Sequence, residues 1–187
     1  LERAILCSGP LPEHLSFPFG SGPQEFTLAR RGCDRNDDPR WRADSCEPRT
    51  ERQRLFRTLW DGIVVLEPAE QDAAIDHLLA WADQPATSPP HRLPVTDEQF
   101  DVLAAHPLIT IGSHTLDHAS LTDHPLTRQR VQIAGGQALL TERVGRPVTR
   151  FSYPYGRFDD ATRALVADLG IDSACTSVPM SVTAADD

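Results

Sequence analysis

The second half of the sequence alternates between short apolar runs and longer stretches with helical periodicity. Apolar runs of strand length occupy residues 108–111, 148–153 and 171–177. Helical patterns over residues 125–144 and 160–169 separate them. Such connections are right-handed and lay successive strands parallel in one sheet, so the residues that follow each strand should gather along one edge. The sequence therefore predicts an α/β fold with a candidate site at that edge.

Three more helices are predicted earlier in the chain. The first follows Thr50 and carries an apolar stripe, and the second begins at Pro68, which suits a first helical turn. The third is capped by Thr96, with Gln99 three residues later in a capping-box arrangement. This third helix leads the chain into the first predicted strand.

The N-terminal quarter of the chain shows no sustained strand or helix period. It is rich in Pro, Gly and Arg, so we expect residues 1–49 to form an irregular segment or insertion. We expect residues 50–187 to form a partial domain. Leu1 is not an initiator methionine, so we also expect a processed or cut chain that is truncated at both ends.

Charge and composition exclude several classes of function. The formal net charge is −9, whereas nucleic-acid binding needs clustered cations, so no nucleic-acid partner is expected. All 18 basic residues are Arg, which excludes chemistry that depends on a lysine, such as a Schiff base. No apolar run approaches the ~20 residues of a membrane span, so no transmembrane segment is expected.

The cysteines leave the redox compartment open. The chain contains Cys7, Cys33, Cys46 and Cys175. An even number permits disulfides, but free or buried thiols are equally compatible with a chain of this size. Cys33 and Cys46 lack the C-x-x-C spacing of a structural zinc site. Cys175 lies in an apolar run and is expected in the core.

Two histidines follow the first predicted strand directly. His114 and His118 lie in the sequence GSHTLDH, residues 112–118. Their i, i+4 spacing should place both imidazoles on one side of a single helical turn, where they can bind one metal ion. The alternative is a surface turn whose polar side chains hydrogen-bond local backbone. A second polar motif at the same sheet edge would favour the metal site.

The sequence FSYPYG, residues 151–156, supplies that second motif at the end of the next predicted strand. Together the two motifs resemble the polysaccharide deacetylase family, also called the NodB homology domain or carbohydrate esterase family 4. The resemblance covers about residues 93–178. It implies part of a distorted parallel (β/α) barrel that lacks the first strands.

The resemblance also implies roles for individual residues. His114 and His118 match the two histidine ligands of a divalent metal, with zinc as the expected metal. The backbone N–H of Tyr155 would help to stabilise the oxyanion of the tetrahedral intermediate, and Tyr153 and Pro154 would contact the substrate. The metal would lower the pKa of its bound water toward ~7 and polarise the acetyl carbonyl.

Several family features have no counterpart in this sequence. The F-D-D-G motif, which carries a metal-binding aspartate and the general base, is absent before His114. The late L-x-H motif, which carries the general acid, is absent after the tyrosine motif. We therefore expect neither a general base nor a general acid in this chain. Asp159 and Asp160 follow the tyrosine motif, and one of them is predicted to be a helix N-cap. Ser152 stands where the family has an arginine.

These features predict a metal-dependent hydrolase that removes N-acetyl, or O-acetyl, groups from a carbohydrate polymer. The reaction would hydrolyse a carbon-nitrogen bond that is not a peptide bond, and the chain by itself is expected to be inactive. The alternative is a noncatalytic deacetylase-like module that binds carbohydrate or a partner protein through the same cleft. The resemblance implies an extracytoplasmic or cell-envelope location. The sequence indicates neither the sugar nor the oligomeric state.

Overall fold

The chain folds into two compact units, Leu1–Leu93 and Pro94–Asp187. The computed structural model describes most of each unit, namely residues 1–6, 9–19, 22–29, 41–43, 46–87 and 93–177. The expected division at residue 50 was drawn from sequence motifs and stays a prediction. By compactness, the described chain divides after Leu93 instead.

The first unit combines three helices with a β-hairpin. Its elements are α1 (Glu2–Ile5), β1 (His14–Phe19), β2 (Gly22–Thr27), α2 (Glu51–Ile63) and α3 (Pro68–Trp81). Strands β1 and β2 pair antiparallel, with Leu15 opposite Phe26. The hairpin corrects the expectation that residues 1–49 are irregular throughout.

The hairpin is short and its outer edge is bonded to a helix. Only Leu15 and Phe17 of β1 are buried, and Pro18 interrupts the strand without an N–H to donate, so the alternation is too brief to recognise in the sequence. The Trp81 Nε1–H of α3 donates to the His14 carbonyl at 2.7 Å, and the His77 ring bonds the Ser16 carbonyl. Helix α3 thereby satisfies backbone groups that an edge strand leaves open.

The predicted helices of the first unit are confirmed. Thr50 caps α2 in a full capping box with Gln53, and Pro68 occupies the first turn of α3. The apolar stripe of α2 and the inner face of α3 pack with α1 and β1 into one core. Its members with no exposed surface are Ala4, Ile5, Phe17, Leu59 and Leu78.

The second unit carries both sequence motifs. Its regular elements are α4 (Asp97–Ala105), α5 (Leu126–Val144), β3 (Arg150–Ser152), α6 (Asp160–Asp168) and β4 (Ser173–Cys175). Strands β3 and β4 are parallel, which confirms the predicted crossover through α6. The fold is therefore α/β, although the described sheets have only two strands each.

The first predicted strand of this unit is wrong. Leu108 is 89% exposed, and the Ile109 N–H donates to the His106 carbonyl in a turn, so residues 108–111 do not pair. Only Ser113 joins the sheet, through one parallel bridge to Phe151. Ser113 N–H donates to the Arg150 carbonyl, and Ser152 N–H donates back to the Ser113 carbonyl. The histidine motif thus begins at the edge of β3.

A small core fixes β3 against α5 and α6. It contains Leu121, Ile133, Phe151, Tyr153 and Leu165, all at most 7% exposed. A buried hydrogen bond joins the two helices beside this core: the Thr162 hydroxyl of α6 donates to Gln129 Oε1 of α5 at 2.8 Å. Within the residues that the structure describes, no helix is long and apolar enough to cross a membrane.

Cys175 is not in the core, contrary to expectation. It is exposed on β4, where Ala174 is the residue that faces inward. Both Cys46 and Cys175 are free thiols. Cys7 and Cys33 lie outside the described residues.

Candidate metal centre

The two histidine rings of the motif lie side by side. The ring centroids of His114 and His118 are 4.7 Å apart at an interplanar angle of 71°. No helical turn produces this proximity, which corrects the sequence expectation. Thr115 and His118 instead adopt left-handed backbone angles, with φ of 68° and 57°. Such angles are uncommon for residues other than glycine, so the surrounding structure must hold the turn in place.

His114 is oriented by β3. Its Nδ1 lies 2.7 Å from the carbonyl oxygen of Ser152 and 3.0 Å from the Ser152 hydroxyl. A carbonyl only accepts hydrogen bonds, so the neutral ring carries its proton on Nδ1 and leaves the Nε2 lone pair for a ligand. No sequence pattern predicts this contact, because Ser152 is notable in the sequence only for standing where the family resemblance implies an arginine.

His118 is held in its neutral form by its surroundings. Desolvation, followed by the neighbouring His114, lowers the pKa of His118 below its usual value. The Tyr155 ring packs edge-on against the His118 ring, with centroids 4.6 Å apart at 83°. A neutral imidazole is the form that binds a metal.

The tyrosine motif forms a tight turn after β3. Tyr155 has left-handed angles, with φ 59° and ψ 8°, and Gly156 follows with φ 65°. A side chain at Gly156 would collide with Ser177, so glycine is required there on both counts. Burial raises the pKa of Tyr155 above its usual value and keeps its hydroxyl protonated. The turn brings the Tyr155 ring against the His118 ring.

The other two residues of the motif are buried. Tyr153 is 5% exposed and stacks on Phe158 with centroids 4.7 Å apart, and Pro154 is fully buried. Burial also raises the pKa of Tyr153. Both residues support the wall of the site from within, and their contact with a substrate stays a prediction.

A buried glutamine of α5 contacts the histidine turn, residues 112–118, through Asp117. Gln132 is 1% exposed; its Oε1 accepts from the Asp117 backbone N–H at 3.0 Å, and its Nε2 donates to Asp117 Oδ2 at 2.7 Å. Gln132 is not among the site residues predicted from the sequence. Its only signal was a polar residue beside Ile133 on the buried face of a predicted helix.

An ion pair connects the two motif loops. Asp123 Oδ2 accepts from the Ser120 hydroxyl at 2.6 Å and from Arg157 Nη1 at 3.2 Å. Asp123 follows the histidine turn, whereas Arg157 follows the tyrosine turn. The pair is half exposed, so its main effect is to fix the two loops relative to each other.

The aspartates after the tyrosine motif have a structural role, as predicted. Asp159 caps α6, and its Oδ1 accepts from the Thr162 backbone N–H at 2.7 Å. This hydrogen bond and that of the Thr162 hydroxyl lower the pKa of Asp159. The carboxylate is therefore committed to the helix terminus.

Two imidazoles are a partial ligand set for a divalent cation. Their close rings and the fixed Nδ1 of His114 fit two ligands of a zinc-type site. Across the described ranges, however, no group of three or more His, Cys, Asp and Glu residues could hold a metal ion. The nearest carboxylate along the chain, Asp117, is bonded to Gln132.

The sequence model of the polysaccharide deacetylase family matches residues 71–174, which is more than half of the chain. The chain belongs to this family. Polysaccharide deacetylases act on acetylated carbohydrates and are in general metal-dependent. The match includes both the histidine turn and the tyrosine turn.

Two curated relatives match parts of the chain. The chain is 33% identical over 133 residues to the uncharacterized protein SCO4760 of Streptomyces coelicolor, covering 66% of this chain and 47% of the relative. It is 30% identical over 89 residues to YxkH of Bacillus subtilis, provisionally named a polysaccharide deacetylase, covering 48% of this chain and 32% of the relative. The chain thus spans less than half the length of the curated relatives it matches.

A solved structure also resembles the chain. It is the Streptococcus pyogenes deacetylase PplD in complex with acetate, which is 19% identical with a TM-score of 0.40. The similarity covers 53% of this chain and 47% of PplD.

Proposed function

We propose that the chain is part of a metal-dependent deacetylase that removes N-acetyl, or O-acetyl, groups from a carbohydrate polymer. Membership of the polysaccharide deacetylase family supports the reaction class. The single observation that carries the proposal for this chain is the convergence of the His114 and His118 rings beside Tyr155. An ordinary surface turn would have no need of two strained residues to bring two imidazoles together.

In this proposal His114 and His118 hold the cation, with zinc as the proposed metal and further ligands from outside the described residues. When bound, a divalent cation polarises the acetyl carbonyl and makes water a nucleophile near neutral pH. The Ser152 carbonyl keeps His114 Nδ1 protonated, so that its Nε2 faces the ligand. Partial burial keeps His118 neutral.

The remaining residues shape the site around the acetyl group. The Tyr155 backbone N–H is proposed to donate to the developing oxyanion, a role that costs no reorganisation because the turn is already fixed. Tyr153 and Pro154 are proposed to support the substrate-facing wall. We assign the general base and the general acid to no residue of this chain.

The parallel pairing suggests how the second unit belongs to a larger sheet. The Ser113 segment, β3 and β4 are three successive parallel neighbours. We propose that they are consecutive strand positions of a distorted (β/α) barrel. On this proposal residues 50–187 are the deacetylase-like part of the chain.

Zinc titration tests the metal site. We expect the parent chain to bind zinc weakly, because two neutral imidazoles without a carboxylate leave most of the charge uncompensated. His114→Ala should abolish the binding, and the control His106→Ala, which removes an exposed histidine of the same unit, should leave it unchanged. Isothermal titration calorimetry measures all three. Equal binding by the parent and His114→Ala would contradict the proposal.

Acetate release tests the reaction. We expect no measurable release from an N-acetylated oligosaccharide by this chain alone, since no base or acid is assigned within it. Release that His118→Ala abolishes would show instead that the chain carries the complete chemistry. Binding of the oligosaccharide that needs neither histidine would favour the noncatalytic alternative.

A further inference from the structure

We propose that Gln132 is a positioning residue for the metal turn, which we define as residues 112–118. The inference rests on the proposed function, because it concerns how the same two histidines are held. Helix α5 holds this turn in a conformation that the turn would not adopt by itself.

The amide of Gln132 matches Asp117 at two points. Its oxygen accepts the Asp117 backbone N–H at 3.0 Å, and its nitrogen donates to Asp117 Oδ2 at 2.7 Å. Gln132 is 1% exposed, so water does not compete for these groups. Since both ends of the amide are used, the backbone of Asp117 is fixed in position and direction. The next residue is His118.

Two glycines extend this contact along α5. A Cβ on Gly136 would lie 2.7 Å from the carbonyl carbon and oxygen of Thr115, and one on Gly135 would overlap the Leu116 side chain. Gln132, Gly135 and Gly136 are three and four positions apart, so they share one face of the helix. That face contacts Thr115, Leu116 and Asp117 in turn.

The contact accounts for the strained backbone of the turn. We call the two hydrogen bonds between Gln132 and Asp117 the clamp. Thr115 and His118 lie on either side of Asp117 in the chain, and both have positive φ. Non-glycine residues keep such angles only where their surroundings impose them. Gln132 supplies directional hydrogen bonds for this, and Gly136 supplies the space. Without the clamp, His118 should lose its fixed approach to His114.

The clamp also defines the role of Asp117. This residue lies between the two histidines in sequence and is a candidate third ligand by residue type alone. Its Oδ2 accepts from Gln132, which directs the carboxylate toward α5. Asp117 therefore acts as the anchor of the turn rather than as a ligand.

The test compares cobalt(II) binding by full-length variants of the chain through visible absorption spectra. Gln132→Met keeps the size of the side chain and removes both hydrogen bonds. We expect its affinity for cobalt to fall by about ten- to a hundredfold, as for other residues that orient metal ligands, with an altered spectrum. The matched control is Gln129→Met, because Gln129 is an equally buried α5 glutamine that bonds His124 and Thr162 instead.

A rescue pair separates positioning from general stability. Gln132→Glu places a carboxylate against Asp117 and should weaken cobalt binding. Adding Asp117→Asn restores the complement of donors and acceptors, because the Asn amide can donate to the new carboxylate. Cobalt affinity should therefore return to within about threefold of the parent. That loss is smaller than the roughly ten- to hundredfold loss expected when a positioning residue is removed. Parental affinity and spectrum in Gln132→Met, or failure of the double variant to recover while Asp117→Asn alone binds normally, would overturn the inference.

Amide hydrogen exchange in the metal-free protein distinguishes a failure of the proposed metal function from a failure of the Gln132 inference. The Asp117 amide should exchange slowly in the parent and in the double variant, and at least tenfold faster in Gln132→Met. If the parent binds no cobalt while this pattern holds, the proposed metal function fails and the clamp stands. If the Asp117 amide exchanges equally fast in all variants, the clamp fails whatever the metal does.

Discussion

At the scale of single residues, the site depends on hydrogen-bond partners that residue identity alone does not reveal. Ser152 replaces the arginine of the family, yet its carbonyl sets the tautomer of His114. Asp159 is one of two adjacent aspartates, and its contacts show that it is the one whose carboxylate caps α6. In both cases the chemical role follows from what the group touches.

The cap makes stability depend on pH. Hydrogen bonds from Thr162 lower the folded-state pKa of Asp159 below the ~3.9 of an unfolded chain. A depressed pKa contributes stability that is present above the unfolded value and is lost as the pH falls through the folded value. Asp159→Asn, which keeps a capping oxygen, should therefore flatten the loss of unfolding free energy below about pH 4. Urea unfolding at pH 2 to 6 measures this, and an unchanged slope would refute the assignment.

At the scale of elements, α5 is both a core helix and the support of the metal turn. Ile133 faces the apolar core, whereas Gln132, Gly135 and Gly136 face the turn. Helix propensity alone counts the paired glycines as a cost of about 1 kcal/mol each. A Cβ at Gly136 would lie 2.7 Å from the Thr115 carbonyl group, so this position needs glycine despite that cost.

The two glycines should respond oppositely to alanine. Gly135→Ala meets only the end of Leu116, which is 42% exposed and can move, so helix propensity should dominate and stabilise the fold by up to ~1 kcal/mol. Gly136→Ala meets the Thr115 backbone and should destabilise it by about 1–3 kcal/mol. Urea denaturation of both variants tests the difference. Equal effects would show that the turn does not rest on Gly136.

At the scale of the whole molecule, each compact unit has its own apolar core, and the two histidines belong to the second unit. A ligand that binds only the folded form stabilises it by mass action. On the proposed function, a metal bound by these histidines would therefore raise the thermal stability of the protein.

Zinc should raise the thermal midpoint. At about one hundred times its Kd, bound zinc adds ~2.7 kcal/mol to the stability of the folded state. The increase should be absent in His114→Ala and should not appear with magnesium, which prefers oxygen ligands. Thermal unfolding followed by near-ultraviolet circular dichroism measures it. An equal shift in His114→Ala would place the bound zinc elsewhere on this acidic chain.

Features that depend on neighbours close along the chain can be predicted from the order of residues alone. The capping box at Thr96 predicted where α4 begins, and an N-cap at Asp159 or Asp160 predicted the start of α6. The apolar stripe after Thr50 predicted α2. The alternation of periods predicted parallel strands, and the paired motifs indicated the family, because spacing and residue type survive in the linear order.

The assembly of the candidate site depends on contacts between residues that are distant in sequence. The bond between His114 and Ser152 joins residues 38 positions apart, and the clamp between Asp117 and Gln132 joins residues 15 apart. The turn between the histidines was predicted as helical, because local spacing favours a helix. In the structure Thr115 and His118 have left-handed angles instead, and the turn packs closely against Gly135 and Gly136 of α5. Contacts distant in sequence outweigh local preference when a buried hydrogen bond and a close backbone approach leave one arrangement.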